Sequence, residues 1–198
     1  MSTESNVLVV VAHPDDEGLG AGGTITRLVD AGHSVSCCLI SGEVKARSQR
    51  PHNSELNYNI KKAQKILGLK EVVIGDFPNI ELNTIPHLKI VQFIESCITS
   101  LKINTIFTHH PSDLNNDHTV VSHSCLAASR LWQRRNDIPR LQDLYFMEIQ
   151  SSTDWAFNGH SRAFEANSFV ELSEGDLERK ISAVEAYKNV MRQTPHPR

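Results

Sequence analysis

Asn6-Val7-Leu8-Val9-Val10-Val11-Ala12 runs directly into His13-Pro14-Asp15-Asp16-Glu17 and then into Gly18, Gly20, Gly22 and Gly23. Those residues decide the fold. A β-branched run of this length reads as a strand buried on both faces. The glycine-rich continuation reads as the start of a helix that lasts to about Ala31 and is closed by Gly32. Outward from this unit the pattern repeats. Strands are expected at Ser34–Ile40, Glu71–Ile74, Asn104–Thr108, Asp143–Ile149 and Ser168–Leu172. Helices are expected at Ser54–Leu67, from Pro86 to about Leu101, from Asp117 to about Trp132, and over Leu177–Met191. Alternation of this kind implies parallel pairing and right-handed crossovers. The expected class is α/β: a Rossmann-like open, mostly parallel sheet with helices on both faces.

The chain has 198 residues, so one domain spanning residues 1–198 is expected. Hydrophobic residues make up 39% and charged residues 22%, a balance that excludes a disordered chain. The net charge of -3 lacks the basic footprint of a nucleic-acid binder. No apolar run approaches the ~18 residues of a membrane helix. The first six residues carry no basic n-region, so a cytoplasmic location is expected. Cys37, Cys38, Cys97 and Cys125 form no CxxC pair and read as reduced core thiols.

In an open α/β sheet, ligands bind beyond the carboxyl ends of the strands. That rule gathers His13–Glu17, Glu43–Ser48, Asp76–Asn79 and His109–His118 at one edge. One histidine and three carboxylates within five residues need compensation, from solvent or from a cation. A solvated acidic turn capping the next helix is the plain alternative. Histidine with carboxylate suits zinc, and three protein ligands with an open fourth position is a catalytic arrangement. His13, Asp16 and His118 supply such a set. Asp15 remains nearby as a carboxylate that could take a proton from water. Asp117 could equally be a helix cap. His109 and His110 point to opposite sides, so at most one can join the site. No GxSxG or GxxxxGK[ST] occurs. Gly18–Gly23 spells G-x-G-x-G-G, a weak dinucleotide fingerprint.

AHPDDEGLGAGGTIT (12–26) together with THHPSDLNNDHTVV (108–121) resembles the PIG-L/LmbE-like zinc-dependent N-deacetylases. The likeness extends through Gly42–Ser48, Phe77–Pro86, YFMEIQSSTDW (145–155) and MRQTPHPR (191–198). It implies hydrolysis of an acetamido group on a sugar or sugar conjugate. It assigns His13, Asp16 and His118 to Zn2+, or to another divalent transition metal such as Fe2+. Asp15 takes the place of the general base, and Asp117 that of a residue tuning the acid–base machinery. Arg47 and Glu17 are expected to touch the substrate. A homo-oligomer is expected, and no nucleic-acid partner.

Two departures stand out. Where relatives often carry a histidine three residues before the last metal ligand, this chain has Asn115. An amide can donate to an oxyanion but cannot deliver a proton, so either Asp15 makes both transfers or His110 reaches the site. Phe77-Pro78-Asn79-Ile80-Glu81 replaces the relatives' F-P-D-N-R. The chain stops at His196-Pro197-Arg198, where related sequences usually continue, so a shortened tail is expected. Trp155, Phe157, His160, Arg162 and Phe164 form a candidate sugar subsite, with packing on the core as the more ordinary reading. Two competing functions are a non-catalytic sugar or nucleotide-sugar binding module, and a magnesium-dependent phosphoesterase built on the carboxylates.

Overall fold

A computed structural model describes residues 5–44, 51–155 and 163–188. Strand β1 (Asn6–Val11) sits at the centre of a five-stranded sheet, because its valines are buried on both faces. It pairs in parallel with β2 (Ser34–Leu39) on one side, matching Val9 to Cys37, and with β4 (Thr105–His109) on the other, matching Val9 to Phe107. β3 (Val72–Ile74) and β5 (Asp143–Met147) add in parallel at the two edges, giving the order β3-β2-β1-β4-β5. Chain order reverses between β1 and β4, and the crevice at their carboxyl ends is where such a sheet receives a ligand.

Alternate residues of β1 feed two cores. Val7, Val9 and Val11 pack with Ile25 of α1 (Asp16–Asp30), Leu56 and Ile60 of α2 (Asn53–Leu67) and Val184 of α5 (Glu174–Glu185). Leu8, Val10 and Ala12 pack with Ile90 and Ile94 of α3 (His87–Ser100) and with Val121 and Cys125 of α4 (Asn116–Ala128). All four cysteines are buried free thiols, in keeping with their apolar neighbours. Among the described residues, no helix is long and apolar enough to cross a membrane.

The glycines of α1 serve packing. A Cβ on Gly20 would lie 2.7 Å from Met147 Sδ and 2.9 Å from Ile149 Cδ1. One on Gly22 would lie 2.9 Å from Lys180 Cγ, and one on Gly23 would lie 2.4 Å from Leu172 Cδ1. The G-x-G-x-G-G run therefore lets α1 approach the end of β5 and α5 closely.

Three expectations change. Residues 168–172 form no strand: Phe169 is 82% exposed, and the segment joins no ladder although its residues favour one. Helix α4 stops at Ala128, and the following turn over Leu131–Gln133 is a 3-10 helix. Helix α5 starts at Glu174, earlier than its apolar pattern implies, because Ser173 and Asp176 form a reciprocal capping box.

Replacing Gly20 by valine is expected to lower unfolding stability by about 1–3 kcal/mol, the usual cost of overpacking a filled site. Urea denaturation followed by circular dichroism measures it; an unchanged midpoint would show that Met147 and Ile149 yield freely.

Candidate active site

Two loops converge on the crevice between β1 and β4. His13 and Asp16 come from the turn joining β1 to α1, and His118 from the first turn of α4. One ligand-type atom from each of His13, Asp16 and His118 lies within 4.8 Å of the others, and all three residues are buried. Asp16 Oδ2 is the hub. It lies 3.3 Å from His13 Nδ1 and 3.2 Å from His118 Nε2, and it accepts the His13 backbone N–H at 3.0 Å.

A carboxylate stands behind each of the two histidines. Asp117 Oδ2 lies 2.9 Å from His13 Nε2, and Asp117 also accepts the backbone N–H groups of Ile80 and Leu82. Asp113 Oδ2 lies 3.2 Å from His118 Nδ1 and is itself fixed by hydroxyl donations from Ser152 at 3.0 Å and Thr153 at 2.7 Å. An ionised carboxylate only accepts. Each ring therefore holds a proton on the nitrogen facing its backing carboxylate, and the other nitrogen, which faces Asp16, would serve a cation as a lone pair once its own proton is lost. His118 Nε2 is buried and faces Asp16 Oδ2 at 3.2 Å. Two imidazole nitrogens and one carboxylate oxygen gathered within 4.8 Å of one another, each imidazole backed by a further carboxylate, fit a divalent metal of the zinc type.

The electrostatics agree. Burial raises Asp16, but His118, His13 and His109 together hold its carboxyl well below the usual range. Burial lowers His118, yet Asp16 and Asp113 overcome it and push the imidazole up to about 10. The cluster stabilises positive charge at this point, so a proton would compete with any metal ion for it.

His109, rather than His110, joins the group. Its ring stacks on His118 at 3.9 Å, and its Nε2 accepts the Ala12 N–H at 2.9 Å. The ring of His110 instead meets Phe146 and Phe164 edge-on, at 6.2 and 5.4 Å. Asn115 caps α4, its Oδ1 accepting the Asp117 N–H at 3.0 Å. Asp15 caps α1 with φ 108°, a left-handed conformation that costs a non-glycine residue about 1–3 kcal/mol and clusters at functional sites. Glu17 is buried, accepting from the Asp15 N–H at 3.1 Å and from the Tyr187 hydroxyl at 2.6 Å. Burial pushes its carboxyl up to about 7 against the pull of that hydroxyl. Arg47, Phe157, His160 and Arg162 lie outside the described residues. Trp155 is half exposed.

Asp113, Ser152, Thr153 and Tyr187 received no role from the sequence. The signal for Asp113 was its place five residues before His118 in the same post-strand loop. Nothing local marks Ser152, Thr153 or Tyr187.

Asp113→Ala removes the acceptor that orients His118 and is expected to weaken zinc binding about 10–100-fold. Titration calorimetry reads this directly. In the unchanged protein, affinity is expected to rise with pH, because His118 must lose a proton to bind. A pH-independent affinity would place the metal elsewhere.

Comparison with known proteins agrees with this geometry. The family model described as PIG-L, GlcNAc-PI de-N-acetylase, matches residues 8–129. The chain is 25% identical over 132 residues to the uncharacterized deacetylase YaiS of Escherichia coli, covering 63% of this chain and 68% of that one. It superposes on the N,N'-diacetylchitobiose deacetylase of Pyrococcus horikoshii with a TM-score of 0.71 at 16% identity, over 91% of this chain and 68% of that chain. It also superposes on GalB, the 4-carboxy-2-hydroxymuconate hydratase of Pseudomonas putida, with a TM-score of 0.74 at 18% identity, over 94% and 80%. The last two establish a shared fold. The matched stretch holds most of β1, all of α1, the Asp16 hub and both carboxylate-backed histidines, and with it the chain belongs to the PIG-L deacetylase family.

Proposed function

We propose that the protein is a metal-dependent N-deacetylase acting on an acetamido group of an amino sugar or sugar conjugate. The observation that carries this reading is the convergence of His13, Asp16 and His118 in one buried cluster, each imidazole backed by a second carboxylate. Membership of a deacetylase family supports it. These three residues would hold the cation, zinc or a similar divalent ion such as Fe2+. When bound, such an ion supplies Lewis acidity toward an amide carbonyl and toward water.

The chain's own groups supply the rest. Asp15 takes the proton of the attacking water on its carboxylate and hands it to the departing amine nitrogen. Asp117 keeps the His13 ring in one tautomer through the contact to Nε2. Asn115 spends its Oδ1 on the α4 cap, which leaves its amide N–H groups as the donors for the carbonyl oxygen as negative charge develops there. We assign that task to Asn115 rather than to His110, whose ring packs against Phe146 and Phe164. Arg47 is assigned to the substrate; Glu17, expected there too, is buried with its two carboxylate oxygens taken by the Asp15 N–H and the Tyr187 hydroxyl, so it holds the Asp15 backbone instead of touching substrate.

The hydratase GalB shares the fold, so the fold alone does not choose between adding water to an amide and adding it to an alkene. A second reading, sugar binding without turnover, is favoured by Asn115, which cannot deliver a proton. Acetate release from N-acetylglucosamine or N,N'-diacetylchitobiose at saturating zinc separates it from deacetylation. Asp15→Asn is expected to keep zinc affinity and lose about 10²–10⁴ in kcat, the usual range for a general base. A near-unchanged rate would remove Asp15 from the mechanism.

A further inference from the structure

Asp15 is held in its left-handed conformation by contacts that reach the far end of the chain. Its carbonyl accepts from the Leu19 N–H at 2.9 Å, an ordinary first turn of α1. Its N–H donates to Glu17 Oε2 at 3.1 Å, so the side chain of Glu17 must fold back over its own helix terminus. A glutamate has the rotamer freedom to leave that position. The other oxygen, Oε1, accepts the Tyr187 hydroxyl at 2.6 Å across 170 residues of sequence. Glu17 and Tyr187 are each 2% exposed, so solvent cannot replace either contact.

Tyr187 lies just past α5, and α5 is seated on α1 through close approaches. A Cβ on Gly18 would lie 3.1 Å from Val184 Cγ2, and one on Gly22 would lie 2.9 Å from Lys180 Cγ. The hydroxyl therefore comes from a segment packed closely on α1. From it a chain of two hydrogen bonds runs to the backbone that aims the Asp15 carboxylate.

We propose that Tyr187 is a positioning residue: it fixes Glu17, and Glu17 fixes the Asp15 backbone that presents the base to water. The kinetic part rests on the deacetylase reading above. Displacing a reacting group by about 1 Å costs on the order of a hundredfold in rate, so a loosened Asp15 is felt in turnover. A tyrosine that only fills the core would affect stability alone.

The test compares Tyr187→Phe, Glu17→Gln and the double variant in the full chain, using N-acetylglucosamine and N,N'-diacetylchitobiose as probes. Each single variant is expected to lose about tenfold or more in kcat, the scale of one hydrogen bond to a charged group, with KM nearly unchanged. The double variant is expected to be no worse than the poorer single one, since both act along one path. Zinc affinity by calorimetry is expected to stay at the wild-type value. Independently of activity, the Asp15 backbone amide resonance in a ¹⁵N-labelled sample is expected to shift in both single variants. Glu17→Gln keeps the shape of the site and decides the matter if Tyr187→Phe fails to fold. A Tyr187→Phe enzyme with wild-type kcat, losses that multiply in the double variant, or an unmoved Asp15 amide overturns the proposal. A wild-type protein that releases no acetate from the probes overturns the deacetylase reading instead, and the amide shift then decides the positioning role alone.

Discussion

The Asp16 carboxylate is almost wholly buried, at 1% exposure, and faces three imidazoles. A charge so placed is tolerable only when something of opposite sign meets it. The surrounding residues follow from that constraint. His13 and His118 approach Asp16 Oδ2 from two loops, and each is oriented from behind by a second carboxylate. His109 completes the wall by stacking on His118. The sheet makes this possible because β1 and β4 are neighbours with ends on the same side, so loops a hundred residues apart in sequence share one crevice.

The architecture was legible because its signals are local. Val7–Val11 is uniformly apolar, and only a central parallel strand buries both faces in this way. His13, Asp16 and His118 could be grouped because each lies in the loop or first helical turn that follows the carboxyl end of a strand. The choice between His109 and His110 could not be made in advance. Alternation separates their faces, but which face meets α1 depends on how the helices dock. Thr153 and Tyr187 were hidden for a related reason: their partners lie 40 and 170 residues away. The segment at 168–172 shows the converse. Its composition favours a strand, yet a strand needs a neighbour, and composition does not provide one.

The glycines of α1 spell a weak nucleotide fingerprint, and the structure gives them another use. Their missing side chains let α1 approach Met147, Ile149, Lys180 and Leu172. That approach brings α5 close enough for Tyr187 to reach Glu17. Helix packing and the state of the first acidic turn are thus one problem, solved by small residues along a single helix.

The partners of the two site histidines come from widely spaced parts of the chain. His13 and Asp117 are 104 residues apart, and Asp113 finds the Thr153 hydroxyl 40 residues further on. In a ribosome-bound chain the crevice is therefore incomplete until residues beyond Thr153 have emerged. Such long-range parallel pairing closes late and slowly in folding. A cation held as proposed would therefore meet its full set of ligands only after the sheet has closed.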